Sequence, residues 1–104
     1  MTGALVASAL LAARPGPAEL IPKSDEPADL IDQYCTRCHN DRQRQGELSF
    51  DGIDIADIAA EQEVWEKAVR KLRARAMPPA NRPRPDEAGY QELLSYLEGE
   101  LDAI

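Results

Sequence analysis

Cys35, Cys38 and His39 are the residues of this chain whose types and spacing could do chemistry, and they lie within five consecutive positions. The chain has two cysteines and one histidine, so this segment holds every thiol and imidazole. Two cysteines at this spacing can each form a thioether to a haem vinyl group, and the adjacent histidine can then bind the iron. Chance would produce the pattern in roughly one chain in five thousand of this composition. The segment therefore predicts one covalently attached haem c, with His39 as an iron ligand.

Three other uses of the cysteine pair are open to the sequence. A disulfide or a thioredoxin-like dithiol is expected near a βαβ pattern, and no stretch of this chain resembles a strand. A structural zinc ion needs four protein ligands, whereas Cys35, Cys38 and His39 supply three and a carboxylate would have to be the fourth. A buried structural pair of cysteines would leave His39 without a role. The haem interpretation accounts for all three residues at once.

The second candidate iron ligand is Met77, which is followed by Pro78 and Pro79. Proline disfavours helical backbone at the residue before it, so we expect Pro78 to end the preceding helix and to carry the thioether on a stiff turn. An arbitrary methionine is most often a hydrophobic side chain at the edge of a core. With haem at His39, however, the chain offers no second histidine and only Met1 as another thioether. Met77 is therefore preferred as the sixth ligand over an open or lysine-ligated site.

Helices are expected to position these residues. The first helix would begin at Ser24 and carry the cysteine motif in its last turn, because apolar residues recur at three- and four-residue intervals. Residues 40–52 are polar and contain two glycines, which predicts a loop, with Leu48 and Phe50 in the wall of the haem pocket. An irregular or single-turn helical segment is expected to line the same pocket with Ile53, Ile55 and Ile58.

Two further helices complete an all-α prediction of three to four helices around one haem. The second runs from about Glu61 to Arg75, and its apolar stripe is Trp65, Val69, Leu72 and Ala76. The last begins near Asp86 and is expected to cross the first helix beside the haem with the stripe Tyr90, Leu93, Leu94, Leu97, Leu101 and Ile104. If Trp65 is buried, its indole N–H needs an acceptor, and a haem propionate is one candidate. Tyr34 is expected to pack on the haem or, with greater weight, in the ordinary core.

Length and composition limit the class of protein. At 104 residues the chain holds one domain at most, and 43% hydrophobic with 30% charged residues is typical of a globular protein. The net charge of -7 argues against a nucleic-acid partner. Residues 1–13 form an uncharged apolar run of signal-peptide length that is too short to span a bilayer. We expect residues 1–23 to be a signal peptide and linker, with a disordered or helical N-terminal extension as the alternative. Residues 24–104 are expected to be the folded domain in the periplasm or an equivalent space, with no membrane span in the mature chain.

A cluster of cations surrounds Met77 in this otherwise acidic chain. It comprises Arg70, Lys71, Arg73, Arg75, Arg82 and Arg84. The simplest interpretation is a solvated face. The functional alternatives are pairing with haem propionates and steering of an acidic redox partner towards the exposed haem edge. The sequence does not decide among the three.

Taken together, the motifs resemble the class I cytochrome c fold, and more narrowly the planctomycete-type cytochrome c domain. The matching positions are Tyr34, Cys35, Cys38, His39, Asn40, Arg42, Gly46, Leu48, Asp51, Trp65, Glu66, Lys67, Lys71, Leu72, Arg73, Met77, Pro78 and Pro79. The similarity extends from about Asp29 to Leu97. It implies haem c with His39 and Met77 as axial ligands. It also places Tyr34, Arg42, Trp65 and Pro78 among the expected cofactor-binding residues.

The leading functional hypothesis is single-electron transfer by a non-enzymatic carrier, with redox proteins as partners and with the chain acting as a monomer or as a module of a larger assembly. A second hypothesis is a haem-based sensor in which Met77 dissociates and a gas molecule or peroxide binds, with weak peroxidase chemistry but no distal histidine to assist it. A haem-free interaction module is the third, and it predicts a colourless protein with two free thiols.

Overall fold

The computed structural model describes Gly3 and residues 26–104. In these residues the chain forms three α-helices, which we label α1 (Pro27–Tyr34), α2 (Gln62–Arg73) and α3 (Glu87–Asp102), together with two short 3-10 helices, Gln45–Glu47 and Ile58–Glu61. The described residues contain no strand, which confirms the all-α prediction. Apart from Gly3, the predicted signal peptide and linker lie outside the described residues, as does Ser24.

The core forms where α3 packs against both α1 and α2, and the 3-10 helix Ile58–Glu61 packs beneath α2 and α3. Its buried side chains are Leu30, Ile31, Ile58, Trp65, Leu72, Tyr90, Leu93, Leu94 and Leu97. Most of the predicted apolar stripe of α3 is therefore confirmed. Ile104 is the exception, because α3 ends at Asp102 and the Ile104 side chain is 59% exposed.

The first helix ends earlier than predicted. Pro27 occupies the first turn, where its missing N–H costs nothing, and Glu26 is the residue before it. Helical backbone stops at Tyr34, and the Cys35 N–H donates to the Ile31 carbonyl at 2.8 Å as the terminal helical bond. Cys38 and His39 therefore lie in the turns that follow α1. The prediction that the helix's last turn carries the motif was wrong by about one turn.

The second helix ends at Arg73, two residues before the predicted end and well before Pro78. Arg75 adopts a left-handed conformation with φ of 55°, and its N–H donates to the Leu72 carbonyl at 3.0 Å. The Ala76 N–H donates to the Lys71 carbonyl at 2.9 Å. This pair of bonds is the Schellman arrangement, which normally has glycine at the left-handed position. The backbone at Arg75, not Pro78, therefore ends α2.

The segment after the first loop also differs from the prediction. Ile58 enters the core, whereas Ile53 and Ile55 line a separate cavity of about 150 Å³ and not the larger one described below. Tyr96 of α3 ties this segment down, since its hydroxyl donates to the Ile55 carbonyl at 2.6 Å. The predicted start of α3 is confirmed, because the Asp86 carboxylate caps the helix by accepting from the Gly89 N–H at 2.9 Å.

Candidate functional site

A mainly apolar cavity of about 460 Å³ lies among α1, α2, α3 and the two loops that connect them. Its volume is typical of a site for a small molecule or cofactor. The lining includes the predicted site residues Tyr34, Cys35, Cys38, His39, Trp65, Met77 and Pro78. Leu48 and Phe50 also line it, as the loop sequence predicts. The fold therefore brings the cysteine motif and the methionine turn to one cavity, although α2 separates them in the sequence.

Arg42 is the predicted site residue that the structure does not bring into the cavity wall. Its side chain is exposed on the loop after His39, and its backbone N–H donates to the Asn40 side-chain carbonyl at 3.1 Å. The same Asn40 oxygen accepts from the Gln43 N–H at 2.8 Å. The Asn40 side chain therefore shapes the turn that follows the cysteine motif.

The His39 ring is oriented by a backbone acceptor. Its Nδ1 lies 2.7 Å from the Gln45 carbonyl oxygen, and because a carbonyl only accepts, Nδ1 must carry the proton. In the neutral ring, Nε2 then has its lone pair free for a metal ion, which is the usual arrangement of a histidine ligand and its supporting partner. Phe50 packs edge-to-face on the ring, with the centroids 5.7 Å apart. The ring is thus oriented by one hydrogen bond and one aromatic contact.

The loop that supplies this carbonyl is tied back to the cysteine motif. The Gln45 N–H donates to the Cys38 carbonyl at 3.1 Å, and the Phe50 N–H donates to the His39 carbonyl at 2.7 Å. Gly46 follows with φ of 62°, and a Cβ there would lie 3.8 Å from the His39 ring. Glycine adopts this left-handed conformation without the cost that a side chain brings. A backbone carbonyl carries no residue-type signal, so the sequence did not reveal this partner.

The two thiols are free, and Cys35 is unsuited to redox exchange. Burial raises the pKa of the Cys35 thiol to about 12, because desolvation disfavours the thiolate. Reactive dithiols work in the opposite direction, with a cysteine pKa lowered by nearby positive charge or a helix N-terminus. Cys35 instead follows the C-terminus of α1 and faces the cavity. The geometry therefore favours the haem interpretation over the dithiol alternative.

Trp65 carries a buried polar atom without a partner. The side chain is 1% exposed and stacks on Phe50 with ring centroids 5.3 Å apart. Among the side chains of residues 26–104, its Nε1 is the buried nitrogen or oxygen atom that lacks a hydrogen bond. An unpaired buried donor is costly, and Trp65 lines the cavity. A bound group with an acceptor, such as a haem propionate, is one candidate partner for this N–H. The residues present fit haem because Cys35, Cys38 and His39 line the same apolar cavity.

Met77 lies at the rim of the cavity and is 36% exposed, so its thioether is not buried in the hydrophobic core. The adjacent Pro78 is buried in the cavity wall and is joined to Met77 by a cis peptide bond.

Within residues 26–104, no three side chains of His, Cys, Asp or Glu are grouped to hold a metal ion, so the zinc alternative finds no ligand set there. None of the helices in the described part of the chain has the length and apolar character needed to cross a membrane.

The family model that matches this chain is that of a class I c-type cytochrome domain, a class of haem-binding electron carriers that attach haem c covalently, and the all-helical fold agrees with it. Residues 22–97 match the family model described as cytochrome C oxidase, cbb3-type, subunit III, and the chain belongs to this family. The search of curated proteins and the search of solved structures each found no match.

Proposed function

We propose that this chain is a monohaem cytochrome that carries single electrons through iron held between His39 and Met77. The observation that supports this most strongly is the shared cavity, because two candidate ligands from different loops line the same apolar space as both cysteines. When bound, the haem supplies an iron that alternates between the ferrous and ferric states. Histidine and methionine ligation favours the ferrous state and raises the reduction potential.

Each residue has a distinct task in this proposal. Cys35 and Cys38 hold the porphyrin through thioethers, and His39 presents Nε2 because the Gln45 carbonyl occupies its Nδ1 proton. Met77 supplies the sixth ligand. Trp65 donates its unpaired N–H to a propionate. The apolar wall, which includes Leu48 and Leu72, keeps water from the iron and so further favours the less charged ferrous site.

A second candidate function, a ligand sensor, is favoured by the partial exposure of Met77, since an outside ligand can reach this rim of the cavity. Optical spectra of the matured protein separate the two functions. We expect a six-coordinate ferric spectrum with a weak far-red band from thioether to iron, reversible one-electron titration, and a ferrous form that does not respond to carbon monoxide. A high-spin spectrum that shifts on addition of carbon monoxide would establish the sensor instead.

The partner's docking surface is also proposed from charge. Residues 67–84 contain seven Lys or Arg and no Asp or Glu, in a chain of net charge -7. Arg73 and Arg75 are paired with Glu98 and Glu87 of α3, so the cluster is partly structural. Lys67 and Lys71 are exposed at the cavity lining and have no ion pair within residues 26–104. They are placed to attract an acidic redox partner to the haem edge.

Charge reversal tests this surface. We expect Lys67→Glu with Lys71→Glu to slow electron transfer to an anionic iron complex by about tenfold at low ionic strength, and salt to reduce the difference. The control combines Arg37→Glu with Arg42→Glu, which changes the charge equally at two exposed sites outside the cavity lining. Stopped-flow rates measure both. Equal slowing in the two double variants would show an effect of net charge and not of a docking surface.

The family of the chain also bears on where the mature protein is located and which cytochrome domains it resembles. We place the mature protein outside the cytoplasm, with residues 1–23 as the export signal and linker, because cytochrome c domains are commonly extracytoplasmic. The narrower similarity to planctomycete-type domains is supported by the Gly46, Trp65 and Met77 positions quoted above. The chain acts as a monomer or as a module of a larger assembly.

A further inference from the structure

The loop that carries Met77 is tied at both ends to α3. Arg84, near the end of this loop, donates from Nε to the Tyr90 hydroxyl at 2.9 Å. It also donates from Nη2 to the backbone carbonyl of Arg75, at the start of the loop. One guanidinium therefore joins the two ends of the loop to each other and to a helix. The planar fork of the arginine guanidinium makes this pair of hydrogen bonds possible, whereas a lysine ammonium lacks that geometry.

Arg75 adds a second connection at the same place. Its guanidinium carbon lies 4.1 Å from the centre of the Tyr90 ring, Nη1 donates to the Leu72 carbonyl at 2.6 Å, and Nη2 lies 2.5 Å from the Glu87 carboxylate. Hydrogen bonds from Gln91 and Arg75 lower the pKa of the Glu87 carboxyl group. The Glu87 side chain is 69% exposed, and exposed ion pairs contribute little. The stacking and the carbonyl bond are therefore the firmer parts of this connection.

Tyr90 is the fixed point of the arrangement. Its side chain is 4% exposed and belongs to the core, so both arginines are anchored to a rigid part of the molecule. Met77, in contrast, lies between the anchored ends and is 36% exposed, so packing of its own side chain does not hold it in place. The position of the sulfur therefore depends on the buried Pro78 next to it and on the constraint at the ends of the loop.

We infer that Arg84 is a positioning residue for Met77, which holds the thioether at the iron by closing the loop from Arg75 to Arg84 against Tyr90. The inference rests on the proposed role of Met77 as sixth ligand. Loosening the loop makes the ligand easier to displace, because the entropy gained by the freed loop favours the open site. Arg84 thereby sets how readily an outside molecule competes with Met77.

Imidazole titration of the ferric haem protein tests the inference, since imidazole competes for the sixth position. We expect Arg84→Lys to bind imidazole about tenfold more tightly and to show a weaker far-red band. Tyr90→Phe removes the hydroxyl acceptor but keeps the ring under Arg75, so we expect a smaller shift in the same direction. Arg82→Lys is the matched control, because Arg82 lies in the same loop, is exposed and has no hydrogen bond or ion pair from its side chain within residues 26–104.

Unchanged imidazole affinity in both Arg84→Lys and Tyr90→Phe would overturn the inference, and so would an equal shift in Arg82→Lys. If Arg84→Lys does not fold, the imidazole affinity of Tyr90→Phe still tests the inference. Failure of the proposed function would look different, because Met77→Ala would then leave the ferric spectrum and the imidazole affinity unchanged.

Discussion

Replacing both Cys35 and Cys38 with alanine is expected to abolish covalent haem attachment in a host that assembles c-type cytochromes. The thioethers have no other source, since these are the two cysteines of the chain. The variant should keep its bare mass and lose all pigment when it is denatured and extracted with acidified solvent. It should also unfold at a lower temperature than the parent protein, because the apolar cavity lining would lose the porphyrin that packs against it.

The matched control for this pair is Thr36→Ala, which changes one of the two residues between the cysteines. Its hydroxyl donates to the Ile31 carbonyl at 3.3 Å, and that carbonyl also accepts from the Cys35 and Thr36 N–H groups. Thr36→Ala should therefore keep the covalent pigment. Mass spectrometry and a haem stain after denaturing electrophoresis measure both variants. Covalent pigment in the double cysteine variant would contradict the assignment.

Replacing Met77 with alanine is expected to have the second largest effect. The ferric protein should lose its far-red band and bind imidazole readily, and the ferrous protein should bind carbon monoxide, because the sixth position is open. The reduction potential should fall by on the order of 0.1 V or more, since axial ligands account for much of the range of haem potentials. Met77 is 36% exposed, so the fold itself should change little.

Pro79→Ala provides the control for Met77→Ala. Pro79 lines the same cavity from the same turn, but its side chain has no atom that can bind iron. This variant should keep the far-red band and most of the potential. Spectroelectrochemical titration of the three proteins gives both readouts. A Met77→Ala protein with an unchanged six-coordinate spectrum would remove Met77 from its assigned role.

Short segments of the sequence predicted several of the residues that line the cavity. The spacing of Cys35, Cys38 and His39 and the Met77–Pro78 turn are properties of short segments, and the structure brings them to one cavity. The apolar faces of the helices could also be predicted, because buried residues recur with the helical period of about 3.6 residues. The sequence also indicated that the Trp65 indole N–H would need an acceptor if the side chain were buried. The structure shows that its Nε1 is buried and has no hydrogen-bond partner within residues 26–104.

The parts that the sequence did not reveal depend on backbone conformation or on distant partners. The end of α2 at Arg73 follows from the left-handed backbone of Arg75, where no glycine signals it. The acceptor for His39 is a carbonyl, which every residue has. Arg75 and Arg84 both contact Tyr90, which lies in the following helix, α3. The sequence alone therefore could not show which cations of the cluster make contacts within the fold and which are free at the surface.

The mass of the mature protein, recovered from a host with cytochrome c assembly, tests the central claim most directly. We expect one species heavier than its polypeptide by a single haem, with the pigment retained after denaturation and with peptide mapping that places it on the segment of Cys35 and Cys38. A folded, exported chain recovered at its bare polypeptide mass and without colour would contradict the account.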